Sequence, residues 1–337
     1  MKLISFLTKL LHFLPSELAH HIALESLKIS HRIGILSLFI KQVSPIPNNS
    51  SINTRITANL KNRLGFAAGL DKNGQYVDCL AALGVGFIEI GTVTPRPQQG
   101  NAKPRLFRNK KEKSIINRLG FNNNGVDKLV SNLKQRKSCI PVGVSIGKNF
   151  DTPNELAVDD YSQCMEKVYK YSDYIAINIS SPNTLNLRDL SSKEYLDSLL
   201  GRLKNIQNNL SSHYGYKPLY LKISPDEKHH NIKEICESIL EQEIDGIICS
   251  NTTIDHEDGL SHGGLSGAPL KIKANQTLNL VNDIVGKKVS IIASGGVMSD
   301  ADYQEKLDAG ADLVQIYTGF IYEGPQLIED ILSLPSS

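Results

Sequence analysis

The chain contains no tryptophan, three methionines and only 6% aromatic residues, so any ring stacking on a ligand must use tyrosine, phenylalanine or bare backbone. Its five cysteines (Cys79, Cys139, Cys164, Cys236, Cys249) are odd in number, widely spaced and free of any Cys-x-x-Cys pair. That pattern argues against a disulfide framework and against a metal cluster, and it reads as reduced structural thiols. Neither sign of charge is in excess: 37 basic residues face 35 acidic ones, for a net charge of +2. A nucleic-acid surface and an acidic tail are therefore not expected. No apolar run approaches the ~18–20 residues needed to cross a bilayer. The start also lacks the small-residue cleavage site of a secretory signal.

What is present begins with an apolar N-terminus. Met1–Leu14 carries Leu3, Ile4, Phe6, Leu7, Leu10, Leu11, Phe13 and Leu14, against few polar residues. Pro15 breaks it, Ser16 is placed as an N-cap, and a second helix is expected over about Glu17–Ile29. A third apolar stretch covers Ile33–Ile40. Short amphipathic helices of this kind either lie on a membrane surface or pack against the main domain or a second chain. Residues 44–51, rich in Pro, Asn and Ser, form the natural boundary. The expected division is a helical extension over 1–42, a linker and barrel entry over 43–60, and a main domain over 61–337.

The main domain is rhythmic. Short apolar runs at Leu64–Ala68, Gly86–Gly91, Pro141–Ile146, Tyr174–Ile179, Leu219–Ile223, Gly246–Ser250, Ser290–Ala293 and Leu313–Tyr317 alternate with amphipathic stretches. Continuous β-rich runs mark strands buried on both faces. Eight strand–helix pairs in series point to an α/β fold, a closed (β/α)8 TIM barrel, more than to an open doubly wound sheet. The longest break in the rhythm, Pro95–Arg118, is expected to be a lid or wall on the active face.

In such a barrel chemistry sits where strands end, and the strand ends here are polar or glycine-rich. The fourth is the most distinctive: Asn178 ends an apolar run, and Ser180, Ser181, Pro182, Asn183 and Thr184 follow. A buried amide needs hydrogen-bond partners, so Asn178 asks for a reason. Asn117, Asn183 and Asn251 fall at comparable places. Four amides suit a small planar substrate with several C=O and N–H groups. Ser294–Gly295–Gly296 and Tyr317–Thr318–Gly319 bare backbone amides after strands seven and eight, where barrels commonly hold a phosphate. A phosphate-bearing cofactor on a barrel points to a flavin mononucleotide or a pyridoxal phosphate. Lys72 and Lys222 also end strands; a lysine inside an apolar run, as Lys222 is, must face a partner. It could serve Schiff-base chemistry or stabilise negative charge on a flavin.

At this point the chain resembles a known family. The segments 67–74 (AAGLDKNG), 88–100 (IEIGTVTPRPQQG), 104–108, 116–125 (INRLGFNNNG), 175–184, 263–267 and 314–320 are closely similar to the dihydroorotate dehydrogenases, and specifically to their membrane-associated, quinone-using class. The resemblance implies oxidation of dihydroorotate to orotate on FMN, the fourth step of pyrimidine synthesis. It implies Ser181 as the catalytic base, where soluble classes carry a cysteine, with Thr184 and Phe121 in the relay region. Substrate would be bound by Lys72, Asn117, Arg118, Leu119, Gly120, Phe121, Asn178, Asn183, Asn251 and Thr252. FMN would be held by Ala68, Gly69, Lys72, Thr92, Ser145, Asn178, Lys222 and Ser250, with its phosphate among Gly267, Gly295, Gly296, Tyr317 and Thr318. Arg108 and Tyr317 would face the quinone. The extension would form a quinone tunnel and attach a monomeric protein peripherally to the cytoplasmic face of the inner (cell) membrane.

Three features depart from the family pattern. Ser145 stands where a flavin-contacting asparagine is common, so its contact would be shorter or water-mediated. The loop from Thr253 to Gly263 looks short, and Arg63 replaces a usual proline. Two other readings compete: an FMN barrel acting on another dihydropyrimidine or on dihydrouridine, and a non-catalytic barrel that uses its N-terminal helices to bind a partner. The low net charge speaks against an RNA substrate, and the full set of polar strand ends speaks against a retired site.

Overall fold

A computed structural model describes residues 5, 8, 10–38, 53–56, 60–183, 187–257 and 262–334 of the chain. The linker over 44–51, half of Met1–Leu14 and Thr184 lie outside the described residues.

The strands are β1 (Leu64–Phe66), β2 (Phe87–Val93), β3 (Leu106–Asn109), β4 (Ser114–Asn117), β5 (Val142–Ile146), β6 (Tyr174–Asn178), β7 (Leu219–Ile223), β8 (Gly246–Cys249), β9 (Gly264–Gly267), β10 (Ser290–Ser294) and β11 (Leu313–Ile316). Eight of them close into a barrel in the order β1-β11-β10-β8-β7-β6-β5-β2, and all its pairings are parallel. These are the eight apolar runs of the sequence. The helices are α1 (Ser16–Arg32), α2 (Val77–Ala81), α3 (Val126–Leu133), α4 (Ala157–Val168), α5 (Lys193–Tyr214), α6 (His229–Glu241), α7 (Lys271–Val285), α8 (Asp300–Asp308), α9 (Thr318–Glu323) and α10 (Pro325–Leu332). The chain is thus the expected TIM barrel with an N-terminal helical extension.

Side chains alternate across each strand, so every second residue points into the barrel. The lower interior is filled by Phe87, Tyr174, Tyr220, Ile248, Ile292 and Leu313. Each large ring lies over a glycine on the neighbouring strand: Phe87 over Gly65, Tyr174 over Gly143, and Tyr220 over Gly246. Two residues higher on the same strands come Glu89, Ala176, Lys222 and Gln315, and then Asn178 and Tyr317. Polarity therefore rises from an aromatic floor to the C-terminal mouth.

Two sequence expectations are refined. Pro95–Arg118 is not a bare loop: β3 and β4 form a hairpin, and β9 adds to it as a three-stranded antiparallel sheet that walls the mouth. Ser16 is not the N-cap of α1; Pro15 holds that position, and the Ser16 hydroxyl instead accepts from Arg108 Nε at 3.1 Å. The helix packs on the barrel through Tyr76 Oη to Glu25 (2.6 Å) and Arg105 Nε to Glu17 (2.9 Å).

The glycine notches test this packing. A Cβ at Gly143 would stand 2.0 Å from Tyr174 Cζ. Gly143→Ala is expected to lose about 1–3 kcal/mol of stability, the usual cost of overpacking a filled core. A urea unfolding midpoint equal to that of the wild type would show that the notch is not needed.

Candidate active site

The mouth of the barrel holds one cleft. Of the residues expected at the site, the cleft is lined by Ala68, Gly69, Lys72, Thr92, Asn117, Leu119, Gly120, Phe121, Asn178, Ser181, Asn183, Lys222, Ser250, Asn251, Thr252, Gly267, Gly295, Gly296, Tyr317 and Thr318. These residues come from strand ends spread over the whole barrel and from the β3–β4–β9 wall.

The amides form two hydrogen-bonded pairs around it. Asn178 Nδ2 donates to Thr92 Oγ1 (2.9 Å), and its Oδ1 accepts from Asn251 Nδ2 (3.3 Å). Asn251 Nδ2 also donates to Ser180 Oγ at 3.1 Å. Across the cleft Asn183 Nδ2 donates to Asn117 Oδ1 at 3.0 Å, and Asn117 Nδ2 donates to the Gly264 carbonyl at 3.2 Å. The mutual bonds fix which end of each amide is oxygen, and they leave further donor and acceptor capacity for a ligand. Asn178, which looked out of place in an apolar run, thus bridges Thr92 and Asn251.

Ser181 lies three residues beyond β6 and is buried; its Oγ accepts from the Asn183 N–H at 3.3 Å. Facing the same cleft is Phe121, a non-glycine residue held at φ +50°. A left-handed φ costs an aromatic residue about 1–3 kcal/mol and recurs where function fixes the backbone. Asn123 Nδ2, donating to the Phe121 carbonyl at 2.7 Å, helps hold the turn.

Two cations serve opposite ends. Lys72 donates to Asn122 Oδ1 at 2.7 Å. Burial, and then the nearby Arg105 charge, pushes its ammonium down to about 7, with Glu17 opposing. Lys222 is buried and pairs with Glu89 at 3.4 Å. At the far end Gly295 (φ +101°) and Gly296 (φ +79°) turn the chain tightly, and among the described residues their N–H groups donate to no other backbone group. The Thr318 hydroxyl stands with them, 2.8 Å from Ser266 Oγ. Free backbone amides beside a hydroxyl are the donor set an anion requires.

Three expected residues stand elsewhere. Ser145 is fully buried behind Thr92, bonded to its Oγ1 at 2.8 Å, and reaches the cleft only through it. The Arg118 side chain turns outward to the Pro104 carbonyl (2.9 Å from Nη2) and over the Phe107 ring. Arg108 lines a second cavity, whereas Tyr317, expected beside it, lines the first, its ring against Gly69.

That second cavity, about 490 Å³, lies between α1 and the barrel mouth. Ala19, Ile22, Ala23, Leu24, Leu27, Leu70 and Phe320 make it apolar, and Leu106 and Ile115 form a wall shared by both cavities. Arg108 spans it, donating to Ser16 Oγ and to the carbonyls of Leu11 and Leu14. His20, which no motif marked, also lines it; burial first and the Lys72 charge next push its ring down to about 4, so the imidazole is neutral near pH 7. Glu89 and Gln315 were likewise missed as site residues, although each is a polar residue inside an apolar run, the signal that marked Asn178.

A closed (β/α)8 barrel with an amide-lined cleft, an anion cradle after its last two strands and a buried lysine between them is the frame of a cofactor-dependent barrel enzyme. The comparisons narrow that class. The family model for dihydroorotate dehydrogenase matches residues 52–334. A dihydroorotate dehydrogenase (quinone) of Shewanella piezotolerans is 47% identical over 332 residues, 96% of each chain. One of Acinetobacter baylyi is 48% identical over 338 residues, covering 98% of this chain and 99% of its own. Among solved structures, that of DHODH from Eimeria tenella in complex with ferulenol superposes with a TM-score of 0.81 at 32% identity, over 94% of this chain and 89% of that one. The chain belongs to the dihydroorotate dehydrogenase family, and membership implies a flavin cofactor.

The cleft fits such a group: a glycine-rich cradle for an anion at one end, a lysine at the other, and a buried acceptor, Gln315 Oε1, that has no protein partner among the described residues.

Lys72 gives the site a pH dependence. Below about pH 7 it is an ammonium ready for a carboxylate; above, the free site is neutral there, and an anion must bind together with a proton. Affinity for a heterocyclic carboxylate is expected to fall by up to tenfold per pH unit above about 7. Lys72→Met should flatten that slope, and a flat wild-type profile in a calorimetric titration would rule the linkage out.

Proposed function

We propose that this protein oxidises (S)-dihydroorotate to orotate by hydride transfer to FMN, with a quinone as the second electron acceptor, in de novo pyrimidine (UMP) biosynthesis. The observation that carries the reading is the meeting of Ser181, two hydrogen-bonded asparagine pairs and Lys72 in one cleft that shares a wall with a large apolar cavity.

Asn117, Asn178, Asn183 and Asn251, with Thr252, bind the dihydropyrimidine ring, and Lys72 neutralises its carboxylate. Leu119, Gly120 and Phe121 close over it. Ser181 takes the proton from the substrate carbon. A serine is a weak base, so its own proton must leave by neighbours; Thr184, outside the described residues, is assigned to that relay by the resemblance alone. Closure of the cleft over substrate would aid such a base, because interactions strengthen as water is excluded. Ala68, Gly69, Thr92, Asn178, Lys222 and Ser250 would hold the flavin ring, with Ser145 steadying Thr92. Gly267, Gly295, Gly296, Tyr317 and Thr318 take the phosphate. Bound there, FMN supplies the two-electron acceptor that no side chain offers. Arg118 orients the substrate turn through its backbone.

The quinone enters the apolar cavity, toward Arg108 and the shared wall, with Tyr317 between it and the cleft. A volume near 490 Å³ is in the range of sites for small ligands. Along the extension that lines it, Leu10, Phe13, Leu18, Ile29, Ile33 and Ile35 are exposed, Phe13 by 81%. Such clustering marks a surface that meets something apolar. Among the described residues no helix is long and apolar enough to cross a membrane. We therefore assign residues 1–42 to the quinone cavity and to peripheral attachment at the cytoplasmic face of the inner (cell) membrane, 43–60 to a linker and barrel entry, and 61–337 to the FMN barrel of a monomer.

Two variants separate the half-reactions. Ser181→Ala should still bind flavin, while flavin reduction by dihydroorotate at neutral pH falls roughly 100- to 10,000-fold, the usual contribution of a general base. Stopped-flow reduction at the wild-type rate would remove Ser181 from the role. Ala23→Phe places a ring in the apolar cavity. It should raise the KM for quinone at least tenfold and leave reduction by dihydroorotate unchanged; equal loss of both would mean that the cavity is not the acceptor site.

A further inference from the structure

The middle layer of the barrel interior holds a buried polar cluster that substrate binding does not use. Glu89 is fully buried on β2. Its Oε1 pairs with Lys222 Nζ at 3.4 Å; its Oε2 accepts from Tyr174 Oη at 3.1 Å and from Gln315 Nε2 at 2.8 Å. Lys222 and Gln315 both line the cleft, and Glu89 lies beneath them. We propose that Glu89 is a positioning residue that sets the reduction potential of the bound flavin through Lys222, with Tyr174 and Gln315 holding its charge in place.

The inference rests on the flavin reading above and goes beyond it. A buried carboxylate is costly unless paired, and here one cation and two neutral donors meet it. Yet the ion pair is long. Charge-assisted N–H···O bonds settle near 2.7–2.9 Å, and an ammonium carries three N–H groups. Lys222 has one hydrogen bond among the described residues, so its remaining donors are available to the cleft. Gln315 is oriented by the same carboxylate. With Nε2 bound to Glu89, its Oε1 is left buried and without a partner among the described residues, an acceptor at the cleft floor for an N–H of the bound ring.

The electrostatic consequence has a definite sign. Reduction adds negative charge to the ring, so Lys222 favours the reduced form, and the Glu89 carboxylate behind it opposes. Because both groups are buried, that opposition is weakly screened. Removing the carboxylate charge should raise the potential. Removing a donor from the carboxylate, while keeping the charge, leaves that charge less dispersed and should lower it. Opposite shifts from two neighbouring substitutions are not what general loosening of the core produces.

The test is the midpoint potential of bound FMN, measured by anaerobic dye equilibration in the wild type, Glu89→Gln and Tyr174→Phe, with flavin content determined in each. Glu89→Gln should shift the two-electron equilibrium at least tenfold toward the reduced form, about 30 mV upward. Tyr174→Phe should shift it in the opposite direction by a smaller factor. If both variants keep the wild-type potential, or both move the same way, the role of Glu89 is overturned while the flavin reading stands. A wild type that takes up no FMN overturns the flavin reading itself. Should Glu89→Gln hold no flavin, Tyr174→Phe decides alone: a lowered potential supports the role, and an unchanged or raised one ends it.

Discussion

A carboxylate with no access to water sits at the centre of the barrel, and much of the surrounding sequence answers to it. Glu89 cannot remain charged there without donors, and they arrive from three other strands: Lys222 on β7, Tyr174 on β6 and Gln315 on β11. Because inward positions repeat every second residue, placing Lys222 and Gln315 at that height also puts Tyr220 and Leu313 in the layer below. The rings of that layer need glycine notches on adjacent strands, and Gly143 and Gly246 supply two of them. The polar layer and the aromatic floor are thus one packing solution. A one-residue slip of any of these strands would turn its inward set outward and leave the carboxylate short of a partner.

A different constraint ties the N-terminal helix to catalysis. α1 is not an appendage that merely covers apolar surface. Glu17 receives Arg105 Nε, and Arg105 Nη1 in turn donates to the carbonyls of Gln99 (2.5 Å) and Asn101 (3.0 Å). Asn101 Nδ2 donates to the Arg118 carbonyl at 3.0 Å and reaches the Asn183 carbonyl at 3.4 Å. The helix that walls the apolar cavity therefore also braces the loop that carries a substrate amide. α1 packs against the main domain, and Leu18 and Ile29 on it remain exposed.

How far the sequence speaks depends on the range of the interaction. The eight barrel strands were legible because each is a local β-rich run whose burial needs no knowledge of distant residues, and the strand ends were legible as polar interruptions. The β3–β4–β9 sheet was not. Its strands are four residues each, β3 mixes Leu106 and Phe107 with Arg108 and Asn109, and closure depends on Asn117 meeting Gly264, 147 positions away. Motif adjacency also misleads about direction. Arg118 sits between Asn117 and Leu119, which line the cleft, yet its side chain follows the Pro104 carbonyl outward. Ser145 falls short for a simpler reason: a hydroxymethyl group at that position reaches Thr92 and no farther.

The rim of the mouth shows how loops can be held without a sheet. Asp226, just beyond β7, accepts from Arg188 Nη1 at 3.0 Å, from Lys273 Nζ at 2.7 Å, from the Ile254 N–H at 2.9 Å and from the Thr253 hydroxyl. Burial alone would raise its carboxyl, but Lys273, the Thr253 hydroxyl and the Ile254 N–H together hold it below the usual carboxylate range. Arg188 also reaches the Ser180 carbonyl at 3.4 Å, next to Ser181, while Thr253 follows Asn251 and Thr252 directly. One carboxylate therefore gathers the loop that bears the proposed base and the loop that bears a substrate amide. Hydrogen bonds to a charged group are worth about 1.5–3 kcal/mol each, so a single well-surrounded aspartate can order two loops that bury little apolar surface of their own. Apolar packing organises the floor of the barrel and a buried charge its middle layer; at the edge where substrate must enter, fixed charges take over the same task.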